Sequence, residues 1–138
     1  MNITYYQAKE LYSLGFSFRH YTNNIHKGMV FYYKDSEWVI GGNENDNLSD
    51  EEKVIANNGI WLPSSLHLID WLVDNDFVFI IKNTDGFFDI ICKDSITETQ
   101  YESKTPTLEV TLASIIKKIL KKKERLFDTK EKVFGIIE

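Results

Sequence analysis

The stretch FVFIIKNTDGFFDII, Phe77 to Ile91, decides what kind of fold this chain adopts. It holds two apolar runs rich in β-branched and aromatic residues, Phe77 to Ile81 and Phe87 to Ile91, which read as strands. Between them, Lys82 to Gly86 read as a turn at or near Asp85-Gly86, a pair that accepts the positive φ angles of a tight hairpin. The runs lack clean apolar/polar alternation. That predicts either that both faces of the hairpin are covered or that one face is available to a partner.

Working back toward the N-terminus, GIWLPSSLHLIDWL, Gly59 to Leu72, marks the start of a helix. Pro63 lacks a backbone donor and disfavours helix at Leu62, while Ser64 can cap the free N–H groups of the following turn. Leu66, Ile69, Leu72 and Val73 fall on one face, Leu68 and Trp71 widen it, and His67, Asp70 and Asp74 line the opposite side. Further back, Met29 to Tyr33 and Glu37 to Ile40 read as a second hairpin, joined by Lys34, Asp35 and Ser36. The first segment spaces Tyr5, Ala8, Leu11 and Tyr12 as a helix over residues 4 to 14, with Thr4 as its cap and Gly15 as its stop. Gly41 to Glu52 reads as a polar, acidic loop that runs into a short helix capped by Ser49 or Asp50.

Beyond the central hairpin, a strand around Thr97 to Glu102 is followed by Thr105-Pro106 and a sustained stripe of Leu108, Leu112, Ile115, Ile116, Ile119 and Leu120. This is the longest helix. The closing segment LFDTKEKVFGIIE is apolar enough to dock as a short strand or helix turn. Together these elements predict a single α+β domain spanning residues 1–138. Its antiparallel sheet has about four or five strands, two hairpins merged, packed against an N-terminal, a middle and a long C-terminal helix.

At 138 residues, with 43% apolar and 14% aromatic residues, the chain can bury a core without covalent staples. Its one cysteine, Cys92, allows neither an internal disulfide nor a multi-cysteine zinc site. With no secretory signal pattern and no apolar run of membrane-spanning length, the expected setting is the cytoplasm. The formal net charge of -5 hides an asymmetry. Lys117 to Arg125 carries six basic residues and one acid, a net +5, so the rest of the chain holds -10. Such a body repels phosphate backbones and attracts basic proteins.

Three segments, AKELYSLGF at Ala8 to Phe16, WLPSSLHLIDWL at Trp61 to Leu72 and TLEVTL at Thr107 to Leu112, carry a resemblance. In order and spacing they resemble a diffuse group of small, mostly uncharacterised proteins encoded by bacterial phages, prophages and plasmids. Here an extra serine follows Pro63-Ser64, and Thr111 stands where the group usually has alanine. The resemblance implies an accessory role in a mobile element or in bacterial competition. It brings no catalytic residues.

Candidate sites are surfaces rather than chemistry. Asn43, Asn45 and Asn47 alternate as in a calcium loop, but Leu48 replaces the turn glycine and Val54 the bidentate Glu, so no metal is expected there. His67 and Asp70, three residues apart, have the spacing of an ion pair or general-base pair, yet no nucleophile accompanies them. Cys92 lacks a local signature that would join it to His20, His26 or His67. Trp61, with Trp71 and Trp38, reads either as an interface anchor or as packing that closes the joint between helix and sheet.

The expectation is a non-enzymatic, cofactor-free protein-binding module of the inhibitor, immunity or phage-accessory kind. Its acidic body, including Glu44, Asp46, Asp50, Glu51 and Glu52, would meet a basic partner protein, with Trp61, His67, Asp70 and Asp74 as further contacts. A homodimer is the other partner to consider. The rival reading is a nucleic-acid-binding accessory docking Lys117, Lys118, Lys121, Lys122, Lys123 and Arg125 on phosphates. The same run reads first as the solvated outer face of a core helix.

Overall fold

The computed structural model describes residues 2–16, 27–41 and 48–137, with side chains of the last helix described as far as Lys123. In order the elements are α1 (Tyr5–Ser13), β1 (Val30–Tyr33), β2 (Ser36–Val39), α2 (Asp50–Asn58), β3 (Ile60–Trp61), α3 (Ser65–Asp74), β4 (Phe77–Thr84), β5 (Phe87–Asp94), β6 (Gln100–Thr105) and α4 (Leu108–Ile137). The class is α+β.

The strands do not merge into one sheet. They form two three-stranded antiparallel sheets, ordered β2-β1-β3 and β4-β5-β6. The expected single sheet is corrected by the strands that take the free edges of the two hairpins. β3 sets Trp61 opposite Phe31 and Ile60 opposite Tyr32, and so occupies the free edge of the first hairpin. β6 takes the edge of the second, pairing Gln100 to Thr105 with Lys93 to Phe88. It begins later than Thr97 because Asp94 Oδ1 accepts the N–H groups of Ile96 (2.9 Å) and Thr97 (3.3 Å) and holds that segment as a turn. Those same bonds lower the Asp94 pKa.

Three helices start by one device. Thr4 and Gln7, Ser49 and Glu52, and Ser64 and His67 each form a reciprocal capping box, the first side chain accepting the N–H three residues on while the second accepts the cap's own N–H. α2 adds Asp50 and Glu51 at its positive end. Both hairpins turn on two residues, Lys34-Asp35 and Asp85-Gly86, all four with positive φ. Ser36 therefore belongs to β2 and not to the turn.

The core is one cluster that spans both sheets. Phe31, Leu68, Leu72, Ile90, Cys92, Leu112, Ile115, Ile116 and Ile119 are fully buried within it. α4 lies across β5 and β6 and meets α1 and α3 on its other side, while α2 rests on β1. On α3 the buried side chains are Leu68, Trp71 and Leu72, and the expected face members Leu66 and Val73 stand 64% and 56% exposed. The helix is rotated toward Phe77 and α4, which selects the Leu68/Leu72 stripe. Likewise Tyr12, expected on the buried face of α1, is exposed.

Gly59 joins α2 to β3 at a close approach. A Cβ there would sit 2.6 Å from the Ile55 carbonyl oxygen and 3.0 Å from that of Tyr32, both backbone atoms that cannot step aside. The closing segment continues α4 as helix to Ile137 rather than forming a strand.

Candidate functional site

The second sheet has two unlike faces. Alternation along β5 puts Phe88, Ile90 and Cys92 against α4, together with Phe77 and Phe79 from β4 and Tyr101 from β6. The other face carries Val78, Ile80 and Lys82 on β4, Phe87, Asp89, Ile91 and Lys93 on β5, and Gln100, Glu102 and Lys104 on β6. Val78 is 58% exposed, Ile80 59% and Phe87 41%. Charges frame these apolar groups: Asp89 pairs in register with Lys82 on one side and Lys104 on the other. Lys104 Nζ also lies 5.6 Å over the Phe87 ring. Asp89 Oδ1 is buried and, among the described residues, has no hydrogen-bond partner.

Once the turn is fixed at Asp85-Gly86, Lys82, Asp89 and Lys93 all fall on this face, with Glu102 and Lys104 beside them. That shared parity is the signal in the sequence that marks the face. Reading each apolar run by itself hides it.

The singled-out residues do not converge on one site. Trp61 is 5% exposed, stacked on Phe16 at 5.8 Å, and Trp71 is equally buried between Phe16 and Phe77, so both are packing residues. Trp38, in β2, is 38% exposed and donates its Nε1–H to the Tyr33 carbonyl (2.9 Å). His67 is half-buried with its ring 5.2 Å from that of Trp61. Its Nδ1 accepts the Ser64 N–H (3.2 Å) and lies 3.0 Å from Ser64 Oγ, so that nitrogen serves the helix cap. Asp70 is half-buried and Asp74 exposed on the same helix. Asp50 and Glu51 are exposed at the start of α2, while Glu52 accepts the N–H groups of Ser49 (3.1 Å) and Gly41 (2.9 Å). Glu44, Asp46, the asparagines 43, 45 and 47, and His20 and His26 lie outside the described residues.

The lysines of α4 turn back onto the protein. Lys117 Nζ pairs with Glu10 at 2.5 Å, Lys118 donates to the Glu102 carbonyl, and Lys122 reaches Thr99 Oγ1 at 3.4 Å. Lys123 sits 5.9 Å over Trp71 and 5.8 Å over Phe77. Lys121 is exposed. These stems cover apolar surface while their ammonium groups stay near water.

No chemistry gathers elsewhere among the described residues. None of their His, Cys, Asp and Glu side chains form a group of three or more that could hold a metal ion. The cleft between α1 and α4 is about 200 Å³, small against the usual ligand pocket, and is bridged by the Lys117–Glu10 pair. No helix of the described residues is long and apolar enough to cross a membrane.

Cys92 is fully buried, and burial with the nearby Asp94 pushes its thiol up to about 11 from the ordinary 9.0. The native thiol should therefore react about a hundredfold more slowly with iodoacetamide than the unfolded one near neutral pH, on thiolate population alone. Since the unfolded thiol ionises first, this group's contribution to stability is constant below pH 9 and is lost as the pH rises toward 11. Native and urea-unfolded alkylation rates check the first point, and urea midpoints across that pH range check the second.

Comparison of the chain with protein-family models, with curated proteins and with solved structures finds no match.

Proposed function

We propose that the chain is a non-enzymatic protein-binding module that occludes a partner protein with the outer face of its second sheet. The observation that carries this reading is the exposure of Val78, Ile80 and Phe87 on a face opposite the one that α4 closes. An apolar centre ringed by charge is the usual anatomy of a protein interface.

Steering comes from the acidic body. Asp35, Glu37, Asp50, Glu51, Asp74, Asp76, Asp85 and Glu98 are exposed, so a partner with a basic surface would be attracted before contact. The resemblance to phage, prophage and plasmid proteins supports an accessory role, as an inhibitor of a defence system or an immunity protein, and the single cysteine suits a cytoplasmic setting for it. Nucleic-acid binding through α4 is the weaker reading, because Lys117, Lys118, Lys122 and Lys123 already have partners on the protein's own surface.

The test is affinity for the captured host partner. Phe87→Asp should weaken it about thirtyfold or more, the loss typical of an interface hot spot, with unfolding temperature little changed. Asp50→Asn with Glu51→Gln should slow association at low salt and leave dissociation unchanged. Unaltered affinity in Phe87→Asp would remove the sheet face from the interaction.

A further inference from the structure

β4 is the edge of its sheet, and its pairing shows which backbone groups are left over. Ser95 N–H donates to the Asp76 carbonyl (3.0 Å), and the register sets Val78 opposite Lys93, Ile80 opposite Ile91 and Lys82 opposite Asp89. Even-numbered residues of β4 therefore bond to β5. The N–H and C=O groups of Phe77, Phe79, Ile81 and Asn83 point away from it. Their strand is eight residues long, has no proline, pairs without a bulge, and carries no charge before Lys82.

The opposite edge is treated differently. By the same parity, β6 leaves Gln100, Glu102 and Lys104 facing outward. Lys118 Nζ bonds the outward Glu102 carbonyl, and the charged Glu102 and Lys104 guard the rest. Such devices keep sheet edges from pairing with other chains. Among the described residues, β4 has none of them over Phe77 to Ile81.

We propose that β4 pairs antiparallel with β4 of a second copy, about a two-fold axis through Ile80, to form one continuous six-stranded sheet. Only with Ile80 opposite itself do all four outward-facing residues gain partners, Phe77 with Asn83 and Phe79 with Ile81, each twice. Charge selects a second copy as the occupant. The middle of the strand is neutral and apolar, and this register brings Asp76 diagonal to Lys82 of the second copy at both ends, with no like charges opposed. The contact is isologous and closes as a dimer. It also joins the two outer faces into one platform, although the dimer does not depend on what that platform binds.

Sedimentation equilibrium of the full chain should give twice its 16.1 kDa mass. Ile80→Lys, at a position already 59% exposed, places two ammonium groups on the axis and should halve the mass without altering circular dichroism. Ile96→Lys, 77% exposed in the β5–β6 turn, should remain dimeric. Amide hydrogen exchange gives a second readout: Phe79 and Ile81 should be protected, and lose that protection in Ile80→Lys. A single-chain mass at every loading concentration, assemblies larger than two, or a dimer that survives Ile80→Lys would overturn the proposal. Phe87 lies in the central strand, so Phe87→Asp should stay dimeric. Lost partner binding in a Phe87→Asp protein that stays dimeric separates this inference from the functional reading.

Discussion

Truncating Trp71 to alanine should destabilise the protein by about 3–5 kcal/mol, the cost of removing a buried tryptophan from a packed core. Its ring stacks on Phe77 at 6.1 Å and 18°, tilts against Phe16 at 5.8 Å, and lies beneath Lys123. Those neighbours come from the segment after α1, from β4 and from α4, so one side chain ties three parts of the chain to α3. Urea unfolding followed by circular dichroism measures the loss. Trp38→Ala is the matched control. That ring is 38% exposed with one hydrogen bond, and its loss should cost about 1 kcal/mol. Equal losses would mean that Trp71 does not form the joint.

Phe31→Ala should cost a similar amount, about 3–5 kcal/mol. Phe31 is fully buried at the centre of the first sheet, between Trp38 on β2 and Trp61 on β3, and belongs to the same core as Ile90 and Leu112 under the second sheet. Because that core is shared, the variant should still unfold in one transition, with tryptophan fluorescence and far-ultraviolet circular dichroism coincident. Separate transitions would show that the sheets fold independently. Both variants must be compared at one protein concentration, since association adds to apparent stability.

Local features were legible in the sequence. Asp85-Gly86 announces its hairpin, Thr4 and Ser64 announce their helices, and the Leu112 to Ile119 stripe announces α4, because each signal is complete within a few residues. What escaped was decided at a distance. β3 is only two residues long and exists because Phe31 and Tyr32 offer an edge, so nothing local in Ile60-Trp61 reveals that the strands divide into two sheets. On α3, Leu66 and Val73 compete with Leu68 and Leu72 for the same stripe, and only the positions of Phe77 and α4 decide between them.

The candidate site was legible in a similarly partial way. The apolar runs suggested an open face, but its membership depends on hairpin parity, which sorts Lys82, Asp89 and Lys93 to one side. His67 looked available as an acid or base. Its place three residues after Ser64 instead matches the capping position usually held by Glu or Gln, and the ring takes that role. The basic run reads first as the solvated outer face of a core helix and only after that as a binding surface, and the contacts of Lys117, Lys118, Lys122 and Lys123 support the first.

The most direct measurement is photo-crosslinking in the native host from a reactive side chain placed singly at Phe87, Glu51 or Lys121. A protein adduct from position 87 is the expected result, with little from position 121. Crosslinks to nucleic acid from position 121, with none to protein from position 87, would contradict the assignment of function to the outer sheet face.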